Sequence, residues 1–371
     1  MLIFSYLCEF ICLTMYYSII VPVYNRPDEV VELLESLVGQ ENRSDFEVVI
    51  VEDGSTLPCA DVVERFSSQL NIHYHSKTNT GRSDTRNVGM QLAKGDYFLF
   101  FDSDCVLPPQ YFTELNKNLR ENYADCFGGP DAAHDSFTPV QKAISYAMTS
   151  FFTTGGIRGG KSAMEKFKPR TFNMGFSRKV YETIGGFRDM FGEDIDLSIR
   201  IAEAGFRIAL FRDVFVYHKR RVSFKKFYRQ VHNFGAGRIS LAILHKGSLK
   251  FVHTIPALML IAGLLTIYYL LFTIYYSLFI VHYSLFIVHY SLFIIHYSLF
   301  IIHCSLFILY FLLLFTDALI KNRNLKVALL AVWASIIQIT GYGWGFITAF
   351  VRKIIFRRGL ETQEKLKKVY K

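Results

Sequence analysis

Residues 251–350 are almost continuously apolar, interrupted only by a short polar stretch from Asp317 to Lys326. A run of that length exceeds what the core of a small soluble domain absorbs, whereas about 20 apolar residues suffice for one helix across a bilayer. The preceding residues 16–250 have the Asp, Arg and Gly content of an ordinary globular domain. The chain therefore reads as a soluble domain followed by a membrane region at 251–350. Two or three crossings fit within Phe251–Phe315, and one more within Leu325–Phe350.

Charge supports the same division. The chain carries a net +9, and much of the surplus flanks the apolar block. Lys219, Arg220, Arg221, Lys225, Lys226 and Arg229 precede it, and Arg352, Lys353, Arg357 and Arg358 follow it, opening a basic tail over 351–371. That placement points to anionic lipid as the partner, not nucleic acid. The basic tail prefers the cytosolic side, which favours an even number of crossings, although Lys321, Arg323 and Lys326 pull the other way. The 6 cysteines form no CxxC pair and no zinc-finger spacing, which suits a reducing compartment. Residues 1–15 lack a basic segment and a cleavage site for a secretory signal, and Met15 stands just before the first strand pattern. They are expected to be a non-native extension.

From Tyr16 onward strand and helix patterns alternate, which predicts an α/β domain with a mainly parallel sheet. Strands are expected at Tyr17–Val23, Phe46–Val51, Ile72–His75 and Tyr97–Phe101, with helices at Asp28–Leu37 and Thr85–Ala93. Polar motifs close three of these strands: Val23-Tyr24-Asn25-Arg26, Val51-Glu52-Asp53-Gly54-Ser55 and Asp102-Ser103-Asp104. In an open α/β sheet, ligands bind beyond the carboxyl ends of the strands, so these residues fall on one functional edge. The two aspartates of Asp102-Ser103-Asp104 would diverge in an extended segment. A turn at Ser103 would bring them to one hard cation, shared with diphosphate oxygens and water.

Taken in order, the motifs resemble glycosyltransferase family 2, the inverting nucleotide-sugar enzymes of GT-A fold. The resemblance rests on Ile20 to Arg26, Val51 to Ser55, Gly81-Arg82-Ser83 with Arg86-Asn87 and Gly89, and Gly95-Asp96-Tyr97 leading to Asp102-Ser103-Asp104. It continues through Gly185-Gly186-Phe187 to Gly192-Glu193-Asp194 with Asp196-Leu197, and covers about 16–240. It implies a Rossmann-like nucleotide-sugar-binding domain, followed here by the helical transmembrane region.

The resemblance also implies roles. Pro22, Tyr24, Asn25, Asp53, Arg82, Arg86, Asp102 and Ser103 would bind the nucleotide-sugar. Asp104 would be the main ligand of Mg²⁺ or Mn²⁺, and His218, after an apolar run from Phe211 to Tyr217, resembles the late histidine that completes such metal sites. Asp194 would be the general base that deprotonates an acceptor hydroxyl, with Glu193 and Asp196 supporting it or the acceptor. A UDP-sugar donor, a lipid-linked acceptor in cell-envelope synthesis and a cytosolic active site on the inner (plasma) membrane complete the expectation. Gln230 to Phe234 lacks the Gln-x-x-Arg-Trp signature of processive synthases, which favours single transfers.

Three further features bear on the reading. Phe227, Tyr228, Val231 and Phe234 recur among Lys225, Lys226, Arg229 and Arg238, so 222–240 suits a helix in the lipid interface or one packed on its apolar face. Gly155 to Ser162 matches the P-loop pattern GxxxxGK[ST], which would make the chain a membrane-attached ATPase. The preceding Val140–Phe152 looks helical, however, and a true P-loop follows a strand. Finally, heptapeptide copies over 276–310 align His282, His289, His296 and His303 along one helix. That row would serve a metal-binding membrane protein with no catalysis, but repetition of Tyr, Ser, Leu and Phe as well points to expansion of a 21-nucleotide gene unit.

Overall fold

The computed structural model describes residues 15–41, 45–132, 134, 137–155, 167–219, 222–280 and 286–358. In chain order the first elements are β1 (Tyr17–Val23), α1 (Pro27–Val38), β2 (Phe46–Asp53), α2 (Ala60–Phe66), β3 (Ile72–Lys77), α3 (Arg82–Leu92), β4 (Tyr97–Phe100), β5 (Cys105–Val106), α4 (Tyr111–Glu121), β6 (Cys126–Gly128) and β7 (Asp131–Ala132). Then come α5 (Pro139–Thr149), α6 (Phe151–Thr154), β8 (Met174–Ser177), α7 (Arg178–Ile184), α8 (Glu193–Glu203), β9 (Ile208–Leu210) and β10 (Val216–His218). The last four helices are α9 (Phe224–Leu244), α10 (Ile255–Ile280), α11 (Phe286–Asn322) and α12 (Leu325–Phe350). Among the described residues the chain divides into two compact units, one drawn from 15–134 with 167–219, the other from 137–155 with 222–358. Residues 222–240, read from sequence as the end of the catalytic domain, thus group with the apolar helices.

The first unit is built on a seven-stranded sheet of order β3-β2-β1-β4-β8-β6-β9. Pairing is parallel across β3, β2, β1 and β4, and β8 alone runs against its neighbours. The mainly parallel α/β domain predicted from the strand and helix pattern is therefore what forms. Ile19, Ile20, Val21, Val48, Val49 and Ile50 are all fully buried, as expected of central parallel strands covered on both faces. Helix α1 starts at Pro27 with Asp28 and Glu29 in its first turn, and buries Val30, Leu33, Leu34 and Leu37 against the sheet. Helix α3 begins at Arg82, earlier than its apolar periodicity suggested. Gly81 at φ 95° turns the chain directly into it.

Packing explains two motif glycines. A Cβ on Gly89 would lie 2.5 Å from the Ile20 side chain, so its absence lets α3 rest on β1. Gly186 faces Asn87, whose carboxamide accepts from Phe187 N at 2.8 Å and donates to Phe187 O at 2.9 Å. That amide holds the turn leading to α8 against α3.

The second unit collects α5, α6 and α9–α12. Helices α5 and α12 carry side-chain caps of the expected kind: Thr138 and Gln141 form a capping box on α5, and Asn324 accepts from Val327 N at 3.0 Å on α12. Helices α9 and α12 meet through glycines. A Cβ on Gly235 would lie 2.1 Å from Tyr342 O, and one on Gly345 would lie 2.0 Å from His232 O. Phe227 and Val231, half of the aromatic stripe on α9, are buried in a cluster with Ala143, Ala147, Leu314 and Ala331. Among the described residues, 3 helical segments are long and apolar enough to cross a membrane: Ile255–Tyr275, Phe293–Asn322 and Leu325–Ile355. That gives two within the first apolar block and one in the second, where the charge pattern favoured an even total.

Candidate active site

Three strand ends of the first unit supply the site. At the end of β2, Gly54 takes φ 69°, and a Cβ there would meet Asn79 N at 2.6 Å, so the turn needs glycine. Asp53 just before it is buried. Its Oδ1 accepts from Lys77 Nζ at 2.5 Å and from Thr80 N at 2.9 Å, and its Oδ2 accepts from Gly81 N at 3.0 Å. Burial presses this carboxyl upward, but the hydrogen bonds from Lys77, Thr80 and Gly81 outweigh that and hold it below its ordinary value. Asp53 thereby fixes the 77–81 loop against β2. Next to it, Asn25 at φ 53° accepts from Thr56 N at 2.8 Å and Leu57 N at 2.9 Å, and its own amide donates to Ser55 Oγ at 2.7 Å. Asn25 therefore shapes the rim, from which Tyr24, 52% exposed, faces solvent. Pro22 lies within β1, opposite Val51.

Beyond β4 the chain turns at Ser103, with Cys105 N donating to Asp102 O at 3.0 Å. The turn foreseen from the Asp-Ser-Asp spacing is therefore present. It delivers Asp104 next to His218, with Oδ1 3.2 Å from Nε2, while Asp102 Oδ2 stands 4.0 Å from the same nitrogen. The pairing of β5 with β10 sets Cys105 opposite His218, which fixes this meeting of residues more than a hundred apart. Strand β10 is only Val216–His218, shorter than the apolar run from Phe211 suggested, and it belongs to a separate small sheet of order β5-β10-β7.

Two carboxylates and an imidazole nitrogen are the donor types that Mg²⁺ or Mn²⁺ takes, so Asp104 and His218 with Asp102 beside them fit such an ion. Asp104, Cys105 and His218 bring their ligand atoms within 4.8 Å of one another. Cys105 suits the ion least. Its Sγ donates to Phe172 O at 3.4 Å, and burial, with Asp104 and Asp102 adding to it, pushes the thiol far above its ordinary range.

Glu193 and Asp194 open α8 behind Gly192, which sits at φ 91°. Glu193 is buried and takes Arg82 Nη2 on Oε2 at 2.9 Å and Arg86 Nη1 on Oε1 at 3.1 Å. Arg86, 3% exposed, donates its other terminal nitrogen to Asp102 Oδ1 at 2.7 Å. One guanidinium thus ties the Asp102 turn to the first turn of α8. Burial lowers the proton affinity of Arg86, but Asp102 and Glu193 more than restore it, so it stays charged. Burial also pushes the Glu193 carboxyl upward, against the pull of Arg82.

Asp194 is placed differently. Its Oδ1 accepts from Ile195 N at 2.8 Å, and Oδ2 lies 3.5 Å from Arg170 Nη1, so it is held without being enclosed. Asp196 has no exposure at all, and is gripped by Arg188 Nη1 and Arg200 Nε, both at 2.9 Å.

Residues 18–185 match the model of the family described as glycosyl transferase family 2. Over residues 18–185 this is a family 2 glycosyltransferase domain. A glycosyltransferase of Haemophilus influenzae is 40% identical over 135 residues, covering 34% of this chain and 44% of that protein. TarS of Staphylococcus aureus, named a poly(ribitol-phosphate) beta-N-acetylglucosaminyltransferase, is 35% identical over 114 residues, 30% of this chain and 20% of its own length. The matched stretch spans less than half of either relative. The mannosyltransferase PcManGT from Pyrobaculum calidifontis, solved with GDP-Man and Mn2+, matches in fold with a TM-score of 0.52 at 17% identity, over 92% of this chain and 87% of that one.

Within this glycosyltransferase fold, the structure adds residues that sequence reading did not single out. Lys77 closes on Asp53, Arg170 faces Asp194, and Asp131 stands behind His218. Only Lys77 had a local signal, since it ends β3 beside the Asp53 turn. The P-loop match falls largely outside the described residues, which end at Gly155 and resume at 167. What leads into it is α6, closed by Gly155 in a left-handed conformation, where a P-loop needs a strand. Of the histidine row, His282 lies outside the described residues. His296 stacks on Phe272 with ring centroids 3.9 Å apart, and His303 Nδ1 is 2.7 Å from Leu299 O. Among the described residues the only metal-suited cluster is the one at Asp104 and His218.

Proposed function

We propose that the protein is an inverting, metal-dependent glycosyltransferase that moves a sugar from a nucleotide-sugar, a UDP-sugar by preference, to a hydroxyl or phosphate of a lipid-linked acceptor in cell-envelope synthesis. The observation that carries this reading is the Arg86 bridge. It brings the Asp102-Ser103-Asp104 turn, suited to a diphosphate and its cation, within one side chain of the Glu193-Asp194 turn, suited to an acceptor.

A divalent ion held by Asp104 and His218, with Asp102 beside them, would supply positive charge where the nucleoside diphosphate departs. The remaining work falls to the chain. Asp53, with Lys77 and the Thr80 and Gly81 amides locked onto it, shapes the pocket for the nucleoside. Arg82, held along one edge by Glu193 and 51% exposed, offers its remaining surface to phosphate. Asp194, partly open, accepts the proton from the acceptor hydroxyl as that oxygen attacks the anomeric carbon from the face opposite the leaving group. No second carboxylate is required, because the leaving diphosphate needs no protonation. Asp196, locked by two arginines, is excluded from proton transfer.

The name of TarS favours an N-acetylglucosaminyl donor, while PcManGT was solved with GDP-Man. The setting is supported by three apolar helices, which suit a multi-pass protein of the inner membrane, and by Lys219, Lys225, Lys226 and Arg229 ahead of the first of them, which suit a first unit in the cytosol. Binding of UDP, GDP, CMP and ATP to the full chain, with Mn²⁺ and after chelation, tests the reading. Metal-dependent UDP or GDP binding that Asp104→Ala removes is the expected result. ATP binding that survives Asp104→Ala would overturn it in favour of the P-loop.

A further inference from the structure

We infer that Asp131 is a positioning residue for the metal site, acting only through His218. The inference rests on the metal-dependent reading above, but concerns a residue that no sequence motif marked.

His218 presents its two ring nitrogens to two different carboxylates. Nε2 lies 3.2 Å from Asp104 Oδ1, and Nδ1 lies 3.8 Å from Asp131 Oδ2. These nitrogens are on opposite edges of the imidazole, so Asp131 cannot share an ion bound at Nε2. It stands behind the ring, with its side chain 1% exposed. A buried carboxylate there favours the tautomer with the proton on Nδ1, which leaves the Nε2 lone pair directed at the ion. The separation of 3.8 Å exceeds hydrogen-bond length, and a small ring rotation closes it. Phe172 stacks on the imidazole with ring centroids 4.8 Å apart and covers one face of the ring.

The backbone is organised to keep Asp131 in this place. Strand β7 pairs with β10 in parallel, Val216 opposite Asp131, while β5 pairs with the other side of β10. Asp131, on β7, and Asp104, in the turn just before β5, therefore flank His218 from the two sides of a three-stranded sheet. The register is pinned at Gly129, where a Cβ would fall 1.7 Å from Val214 O. Asn173 joins the same point, accepting from Gly129 N on its carbonyl at 3.1 Å and donating from Nδ2 to Val214 O at 2.8 Å.

The test is Mn²⁺ affinity of the full-length protein in detergent, with Mn²⁺ alone as the probe, read by the electron paramagnetic resonance of the free ion. Asp131→Ala is expected to weaken Mn²⁺ binding about 10–100-fold, the usual effect of removing such an orienting partner. Asp131→Asn, which keeps an acceptor oxygen at the same place, should stay within a few-fold of the parent. Asp131→Leu matches the volume of the site and should behave like the alanine variant, so a fold defect in one variant does not shield the inference. In a His218→Ala background, Asp131→Ala should cost nothing more. Additive losses would make Asp131 a direct ligand and overturn the inference, as would unchanged affinity in Asp131→Ala beside a weakened His218→Ala. Unchanged affinity in both Asp104→Ala and His218→Ala would instead defeat the metal-dependent reading itself.

Discussion

Asp194 and Asp196 stand two residues apart on the same helix, and the structure predicts opposite consequences for replacing them. Asp196 is fully buried between Arg188 and Arg200, each 2.9 Å away. Asp196→Asn removes the charge from that triad and leaves two arginines, only 14% and 9% exposed, facing a neutral group. Breaking a buried ion pair from one side costs about 3–5 kcal/mol. For a unit of this size that corresponds to a fall of roughly 6–20 °C in its thermal transition. Asp194→Asn keeps the acceptor for Ile195 N and loses one long contact to Arg170, so the transition should move by less than about 1 kcal/mol. Its turnover should fall by about 10²–10⁴, the span typical of a lost general base. The assay is sugar transfer per folded molecule at a temperature well below the transition, paired with differential scanning of both variants. A stable Asp196→Asn with lost turnover, or an active Asp194→Asn, would refute the assignment of base and support.

Arg86→Ala should destabilise by about 3–5 kcal/mol, because it leaves buried Glu193 with the half-exposed Arg82 as its one remaining arginine, whereas Arg82→Ala should cost under about 1 kcal/mol and show mainly as weaker nucleotide binding; calorimetry on both separates the roles. Gly345→Ala should cost about 1–3 kcal/mol in detergent by forcing α9 and α12 apart at His232 O, and a parental melting curve would contradict the tight crossing. The lowered carboxyl of Asp53 contributes stability that is complete above its ordinary value of 3.8 and is lost as pH falls through the lowered value; Asp53→Asn should flatten the stability curve in that acidic window, and an unchanged curve would count against the Lys77 contact.

The strands β1, β2 and β4 were readable because buried parallel strands are apolar runs and their polar ends fall where the chain leaves the sheet. The Asp102 to Asp104 turn was readable too, since two carboxylates can serve one ion only if the backbone bends between them. The arginine grip on Glu193 was not. Arg82 and Arg86 stand in a recognisable motif that suggested phosphate, but which carboxylate they face depends on α8 packing beside α3, about a hundred residues later. Asp131 gave no signal, since a lone aspartate after Gly-Gly-Pro looks like any turn until β7 is paired with β10. On α9, amphipathic spacing identified an apolar face correctly, but spacing does not say whether lipid or another helix covers it, and the glycines of α12 decide that for Phe227 and Val231.

The three-stranded sheet of β5, β7 and β10 has a consequence for the order of events during synthesis. Its strands are separated by long stretches of chain, with 110 residues from Val106 to Val216. At about 5–20 residues per second, the ribosome takes roughly 6–22 s to pass from the second aspartate of the turn to the histidine. Until then the nascent domain holds the Asp53 and Asp102 to Asp104 turns without His218. His218 emerges only a few dozen residues ahead of the first long apolar helix, so Asp104 meets its histidine partner shortly before that helix is made.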